Sequence, residues 1–373
     1  MVHGKEIPKQ IKILFLTLNS GLQGPLPKHN PLLIAAFENL GCRVTRRTWG
    51  RHSENENLFE KIFGRLEDIG KALVELDRMK PDIMYVATTL DEPALVRDIL
   101  LLLATCWSPV KKVLKMHGSK TDPLIEPGHS FYKLLTRILI RFSDAVLLLS
   151  TDEIQKWTSF DPKGRFYQVD NPFLPARGLK PDSQTNKLIT TDTRPIILFV
   201  GRLIKEKGIF ELLRAMEIIL NEIDCRLLIV GDGKEKFELT RRIESRNLVS
   251  SVSLLGYLDS NELDEIYRNS TIFILPSYRE GFPTTIIEAM NYGLPIVTTP
   301  VGGIPDHLLE GINALFIRPK DPDMIANAVI RLIKDPKLCE EMGSANNVKV
   351  QEFRPEKVAP KYVEIFSAII QGK

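Results

Sequence analysis

The sequence predicts an α/β protein made of two Rossmann-like domains, each built on a parallel sheet. Three observations carry this expectation. Short Val/Ile/Leu runs alternate with amphipathic stretches, the alternation runs through twice, and a polar, aperiodic segment separates the two rounds. Continuous apolar strands between helices belong to parallel sheets covered on both faces. The length of 373 residues is also more than one ordinary core holds and suits two.

The first round opens on IKILFLTL. Its apolar run is short and enters a glycine loop directly, so it reads as a strand rather than a secretion signal. Further strands are expected at PDIMYVAT, VKKVLKMHG, DAVLLLS and GRFYQV, with helices at NPLLIAAFENLG and LEDIGKALVELDRM. ILLLLATCW, after Asp98, is about half of the roughly 20 residues that a membrane span needs, and reads as a buried helix or strand. The second round offers strands at PIILFVG, CRLLIVG, VSLLGY, TIFILPS, PIVTT and ALFIRP. Helical stretches lie between them, from IFELLRAMEIILNEI to TIIEAMNYG. ARGLKPDSQTNKLITTDTRP has the composition of a linker. The expected domains are therefore 1–185 and 186–352. Ligands of such sheets sit at the carboxyl ends of the strands, so two facing sheets would place a site in the cleft between them.

Composition narrows the function classes. Hydrophobic and charged contents of 43% and 26% are those of an ordinary soluble protein. A net charge of +3 is too small for a nucleic-acid binder, and its mild excess in the first half is compatible with an anionic ligand or membrane surface. Cys42, Cys106, Cys225 and Cys339 are scattered with no C-x-x-C. That argues for a reducing, cytoplasmic setting without a disulfide framework or zinc site. RVTRRTWGRHSENENLFEKIF combines Arg43, Arg46, Arg47 and Arg51 with Trp49, Phe59 and Phe63. Basic residues mixed with aromatics sit at membrane interfaces, so peripheral membrane contact is one expectation, beside a plain solvated face.

The second domain carries the chemistry. In FVGRLIKEKG, Arg202 follows Gly201 at a strand end and Lys207 precedes Gly208 and a helix. Two cations and a helix N-terminus suit a phosphate or diphosphate. VGDGKEKF has Gly231 and Gly233, but Lys236 stands where a dinucleotide fingerprint wants a third glycine. In LPSYREGFPTTIIEAMNYG, Glu280 lies at the mouth of a strand and Glu288 about one turn into the next helix. Thr285 and Glu288 also form a T-x-x-E capping-box pattern, which explains Glu288 structurally and leaves Glu280 unexplained. Two carboxylates flanking an anion-binding turn can accept sugar hydroxyls. Asp321-Pro-Asp323 reads as a helix start and not as a metal site.

These motifs, with VGGIPDHL and GINALFIRP after them, resemble the retaining nucleotide-sugar glycosyltransferases of the GT-B fold, the "group 1" or family 4 set. The likeness covers about 195–340 in register, including the E-x7-E signature met by Glu280 and Glu288. It implies transfer of a hexose-type sugar from a UDP- or GDP-sugar to a carbohydrate, lipid-linked or small-molecule acceptor, without cofactor or metal. The acceptor attacks from the front face with retention, and the leaving phosphate helps deprotonate it. By that resemblance Arg202 and Lys207 grip the diphosphate. Glu280 and the backbone from Gly281 through Phe282, Pro283 and Thr284 to Thr285 hold the sugar and distal phosphate. Glu288 takes the ribose, and Tyr257 and Leu258 border the base. His117, at the end of a first-domain strand, faces the sugar. The loop NSGLQGPLPKHN, with Gly21 and Gly24, lacks the adjacent glycines common in the family, and its Lys28 and His29 are weaker candidates for the acceptor side. The amphipathic KVAPKYVEIFSAIIQGK is expected to return onto the first domain within 353–373. Rival readings are an epimerase, a phosphorylase or a non-catalytic binder of sugar nucleotides.

Overall fold

The computed structural model describes residues 10–19, 25–52, 56–119, 121–174 and 193–372. The chain divides into two compact units, Met1–Leu174 with Phe353–Lys373, and Pro175–Glu352. The boundary expected near 185 lies outside the described residues. Gly21 and Gly24 lie outside them as well.

The first unit runs β1 (Lys12–Thr17), α1 (Pro25–Asn39), β2 (Arg43–Thr48), α2 (Leu58–Met79), β3 (Ile83–Leu90), α3 (Glu92–Ala104), β4 (Lys111–Ser119), α4 (Asp122–Ile125), α5 (Ser130–Phe142), β5 (Ala145–Leu148), α6 (Thr151–Phe160) and β6 (Phe166–Gln168). All strands are parallel, in the order β2-β1-β3-β4-β5-β6. Alternate side chains face opposite sides of a strand. Ile13 and Phe15 accordingly share a core with Leu33 and Phe37 of α1, while Leu14 and Leu16 pack with Leu76 of α2 and Leu95 of α3. The helix from Pro355 to Ile370 joins the first of these cores, with the Tyr362 ring edge-on to Phe37 at 5.8 Å.

β2 is absent from the sequence expectation because RVTRRT has no apolar run. It is an edge strand whose residues are half-buried or exposed, and polar edges guard a sheet against unwanted pairing. The same segment corrects the interfacial reading. Trp49 is fully buried, with its indole N–H donating to Asp98 at 2.8 Å, and Arg47 is ion-paired with Glu75. ILLLLATCW is corrected in the opposite sense. It forms the second half of α3 and the turn after it, and Leu100, Leu103 and Trp107 are exposed.

The second unit runs β7 (Ile196–Val200), a 3-10 turn (Lys205–Lys207), α7 (Ile209–Leu220), β8 (Arg226–Val230), α8 (Lys236–Ser245), β9 (Val252–Gly256), α9 (Ser260–Asn269), β10 (Ile272–Leu275), α10 (Thr284–Asn291), β11 (Ile296–Thr298), α11 (Ile304–His307), β12 (Ala314–Phe316), α12 (Pro322–Lys334) and α13 (Pro336–Lys349); α14 is the Pro355–Ile370 helix of the first unit. β7, β8, β10 and β11 are buried along their whole length, as helices on both faces demand. The order is β12-β11-β10-β7-β8-β9. From β7 the chain builds outward in one direction, and from β10 in the other. The two adjacent central strands are thus the switch point, where connections diverge and ligands bind in open α/β sheets.

Candidate functional site

The loop after β7 carries Arg202 and Lys207, and the loop after β10 carries Glu280. The switch point brings these loops together although Lys207 and Glu280 are 73 residues apart in sequence. The Lys207 ammonium donates to Glu280 Oε1 at 2.5 Å, and their side chains are only 16% and 9% exposed. Arg202, on the same loop as Lys207, is exposed. Backbone contacts hold the two loops in place. The Tyr278 amide donates to the Glu206 carbonyl at 2.8 Å. Gly208 sits at φ +68 with the Pro276 carbonyl oxygen 2.2 Å from where a Cβ would lie. Only glycine allows both that conformation and that approach.

The third wall comes from β11. Thr299 Oγ1 donates to the Ser277 carbonyl, and the Gly303 amide donates to the Gly281 carbonyl, both at 2.5 Å. The Glu280 carbonyl oxygen lies 1.9 Å from a virtual Cβ on Gly302, at φ +59. Gly281, Phe282 and Pro283 thereby form a fixed bridge into α10. Phe282 is buried, its ring 4.3 Å from that of His307.

The capping-box explanation of Glu288 fails. The N-cap of α10 is Pro283, with no side-chain cap, which places Thr285 inside the helix. An uncapped helix start turns amide donors and a positive dipole end toward its loop, a ready anion site. Glu288 instead accepts a hydrogen bond at 3.0 Å from the hydroxyl of Tyr267, which also lies 3.4 Å from the Thr285 carbonyl. Tyr267 belongs to α9, is fully buried, and stacks on Tyr292 with centroids 5.2 Å apart and planes 5° apart. Burial, with Glu288 next, raises its phenol well above the ordinary range, so it stays protonated and remains a donor. Tyr267 escaped the sequence reading: nothing in NELDEIYRNS marks it, and its partner is 21 residues away. Tyr257, at the end of β9, is 62% exposed, with Leu258 half-buried beside it.

Asp321 accepts the Met324 amide at 2.9 Å and pairs with Arg318 at 2.8 Å. It is occupied as the N-cap of α12.

In the first unit His117 lies near the carboxyl end of β4, two residues before its last residue, Ser119. Neither ring nitrogen has a hydrogen-bond partner among the described residues. Burial, then the nearby Lys115 and His29, holds it well below the usual imidazole range, so it is neutral at pH 7. Lys115 donates to the Val169 carbonyl at 3.1 Å, and burial lowers it to about 7. His29 Nδ1 donates to the Pro172 carbonyl at 2.8 Å, and burial lowers it to about 4.

Residues 182–348 match the family model described as "Glycosyl transferases group 1". The chain carries a group 1 glycosyl transferase domain. The chain is 31% identical over 183 residues to an uncharacterized glycosyltransferase of Methanocaldococcus jannaschii, covering 48% of this chain and 46% of that protein. The chain is also 27% identical to the N-acetyl-alpha-D-glucosaminyl L-malate synthase of Bacillus anthracis, over 70% of this chain and 69% of the relative. Against several curated relatives it therefore spans only about half of their length. Among solved structures, sucrose-phosphate synthase from Thermosynechococcus elongatus superposes with a TM-score of 0.78 at 18% identity, over 98% of this chain and 100% of that one. Anabaena Alr3699/HepE, solved in complex with UDP-glucose, gives 0.73 at 19%, over 96% and 100%. The group 1 domain and the N-terminal unit are thus the two Rossmann-like halves of a GT-B fold.

Proposed function

We propose that the protein is a glycosyltransferase. It takes a hexose-type sugar from a UDP- or GDP-sugar and passes it to a hydroxyl of a glycan, lipid or small-molecule acceptor, with retention and without a metal. The observation that carries this reading is the joining of Lys207 and Glu280 at the switch point of the second sheet, beside the uncapped start of α10. Relatives that include a named N-acetylglucosaminyl L-malate synthase and a protein solved with UDP-glucose support the donor class.

In this reading the bond from the anomeric carbon to the distal phosphate oxygen breaks, and negative charge gathers on the leaving diphosphate. Arg202, Lys207 and the α10 amides stabilise that charge more in the transition state than in the ground state. Glu280 and Glu288 accept hydroxyls of the sugar and the ribose, and Tyr267 keeps Glu288 aimed. The acceptor oxygen bonds to the anomeric carbon on the face the phosphate leaves, and its proton passes to a phosphate oxygen. Charge-assisted bonds contribute roughly 1.5–3 kcal/mol, so Lys207→Ala should slow transfer by about one to two orders of magnitude.

Thermal-shift measurements against a panel of UDP- and GDP-sugars test the assignment, followed by turnover of the best binder. The expected result is stabilisation by one donor, lost in Lys207→Ala and Glu288→Gln, and nucleoside diphosphate release that requires an acceptor. Release without acceptor, or wild-type stabilisation in both variants, overturns it.

A further inference from the structure

Exposed large hydrophobic side chains are unevenly distributed. Of the nineteen among the described residues, ten lie between Phe63 and Leu134, on and around α2 to α5. The densest group is on α3. Val96, Leu100 and Leu103, with Trp107 in the turn that follows, are 44%, 49%, 42% and 66% exposed. Their spacing of four, three and four residues makes a single stripe. The opposite stripe, Leu95, Ile99 and Leu102, packs into the sheet. The α3 stripe therefore points away from the sheet.

No charge interrupts it. Beyond Glu92 the only ionic residues of α3 are Arg97 and Asp98. They pair with each other at 2.7 Å, and Asp98 also receives the Trp49 indole, so both are turned inward. A surface helix ordinarily shows water a polar face, and contiguous apolar patches mark contact sites. Trp107 adds to the patch, because its indole N–H already donates to the Ala104 carbonyl at 2.8 Å. Its one polar group needs no water, and the ring can leave solvent without losing a hydrogen bond.

α5 packs beside α3 on the same face of the sheet. Its inner side is Tyr132, Thr136, Leu139 and Ile140. Its outer side presents Phe131 and Leu134, 62% and 53% exposed, together with exposed Arg137 and Arg141. Lys133, Arg137 and Arg141 are the only charged residues of α5, and all are cationic. Apolar side chains mixed with cations, on a helix surface with no opposing acids, complement an anionic lipid headgroup layer over hydrocarbon.

We propose that the α3–α5 face docks the protein peripherally on an anionic lipid surface. Among the described residues no helix is long and apolar enough to cross a membrane, so the contact is interfacial. It takes the place of the Trp49 segment, whose tryptophan is in the core. The proposal stands independently of the sugar-transfer reading.

The chain supplies its own reporter. It has three tryptophans; Trp49 and Trp157 are fully buried, leaving Trp107 as the solvent-facing fluorophore. Full-length protein is titrated with vesicles of phosphatidylcholine containing phosphatidylglycerol, with phosphatidylcholine alone as the control. The expected result is a blue shift of emission, quenched by brominated acyl chains, with the anionic vesicles only and reversed by high salt. Leu100→Glu with Leu103→Glu should abolish binding without changing Tm, since both positions are exposed. Arg137→Gln with Arg141→Gln should weaken binding roughly 30-fold, the equivalent of about 1 kcal/mol per cation. No shift with either vesicle, equal binding to neutral vesicles, or a solution dimer that Leu100→Glu dissociates would each overturn the proposal, the last by showing a face made for another protein copy.

Discussion

Replacing Tyr267 by Phe removes one hydroxyl and leaves the buried ring, stacked 5.2 Å from Tyr292, in place. The lost bond is a 3.0 Å donation to the Glu288 carboxylate. Hydrogen bonds to charged groups contribute roughly 1.5–3 kcal/mol, and water reaching the half-buried Glu288 offsets part of that, so folding stability should fall by about 1–2 kcal/mol. The effect on ligand binding is separate. Without the phenol, Glu288 loses one of the bonds that hold it in the free protein, and that part of its order must be restored when the ribose arrives. Ordering one such side chain costs about 1 kcal/mol, which is roughly a fivefold weaker donor. Calorimetry of nucleoside diphosphate binding, with steady-state kinetics, reads this directly: Kd and KM should rise about fivefold while kcat is little changed. In a Glu288→Gln background, Tyr267→Phe should add almost nothing, because the group it positions has already changed. Wild-type affinity in Tyr267→Phe, or fully additive losses in the double variant, would refute the positioning role.

Glu280→Gln should release Lys207 from the partner 2.5 Å away. Nucleoside diphosphate should then bind at least as tightly as to wild type while sugar transfer is lost, a split that product titration and turnover together resolve. Gly208→Ala puts a Cβ at φ +68, 2.2 Å from the Pro276 carbonyl oxygen. The left-handed conformation alone costs about 1–2 kcal/mol, and the clash displaces the Glu280 loop, so denaturant titration and donor binding should both report a loss. His29 should give an acid limb to stability. The unfolded chain takes up its proton near the ordinary imidazole value of about 6.5, whereas burial delays uptake in the fold to about 4. Stability is therefore complete above about 6.5 and declines as the pH falls toward 4, by up to roughly 3 kcal/mol. His29→Gln should flatten much of that decline in pH-dependent unfolding.

The parts of this molecule that can be read in the sequence are those where burial alone dictates residue type. β7, β8, β10 and β11 are covered on both faces and appear as unbroken Ile/Leu/Val/Phe runs. β2 is an edge strand, and Arg-Val-Thr-Arg-Arg-Thr carries no such run. ILLLLATCW shows how hydrophobicity without direction misleads, since the run is equally apolar on the side that packs and the side that does not. Trp49 errs the other way: its basic neighbours are on an edge strand while the indole turns inward to Asp98. In the site, the T-x-x-E pattern is present at Thr285 and Glu288, but Pro283 starts the helix early and takes the cap position. The pairing of Lys207 with Glu280, and the support of Glu288 by Tyr267, depend on strand order and on a neighbouring helix. No local spacing encodes either.

A crystal structure with a non-hydrolysable UDP- or GDP-sugar bound tests the central claim most directly. The account predicts diphosphate oxygens within about 3 Å of Lys207 Nζ and the Arg202 guanidinium, with the ribose hydroxyls on Glu288 and the phosphate at the start of α10. A diphosphate seated elsewhere, with Lys207 still closed on Glu280 and Glu288 without contact to the ligand, would contradict it.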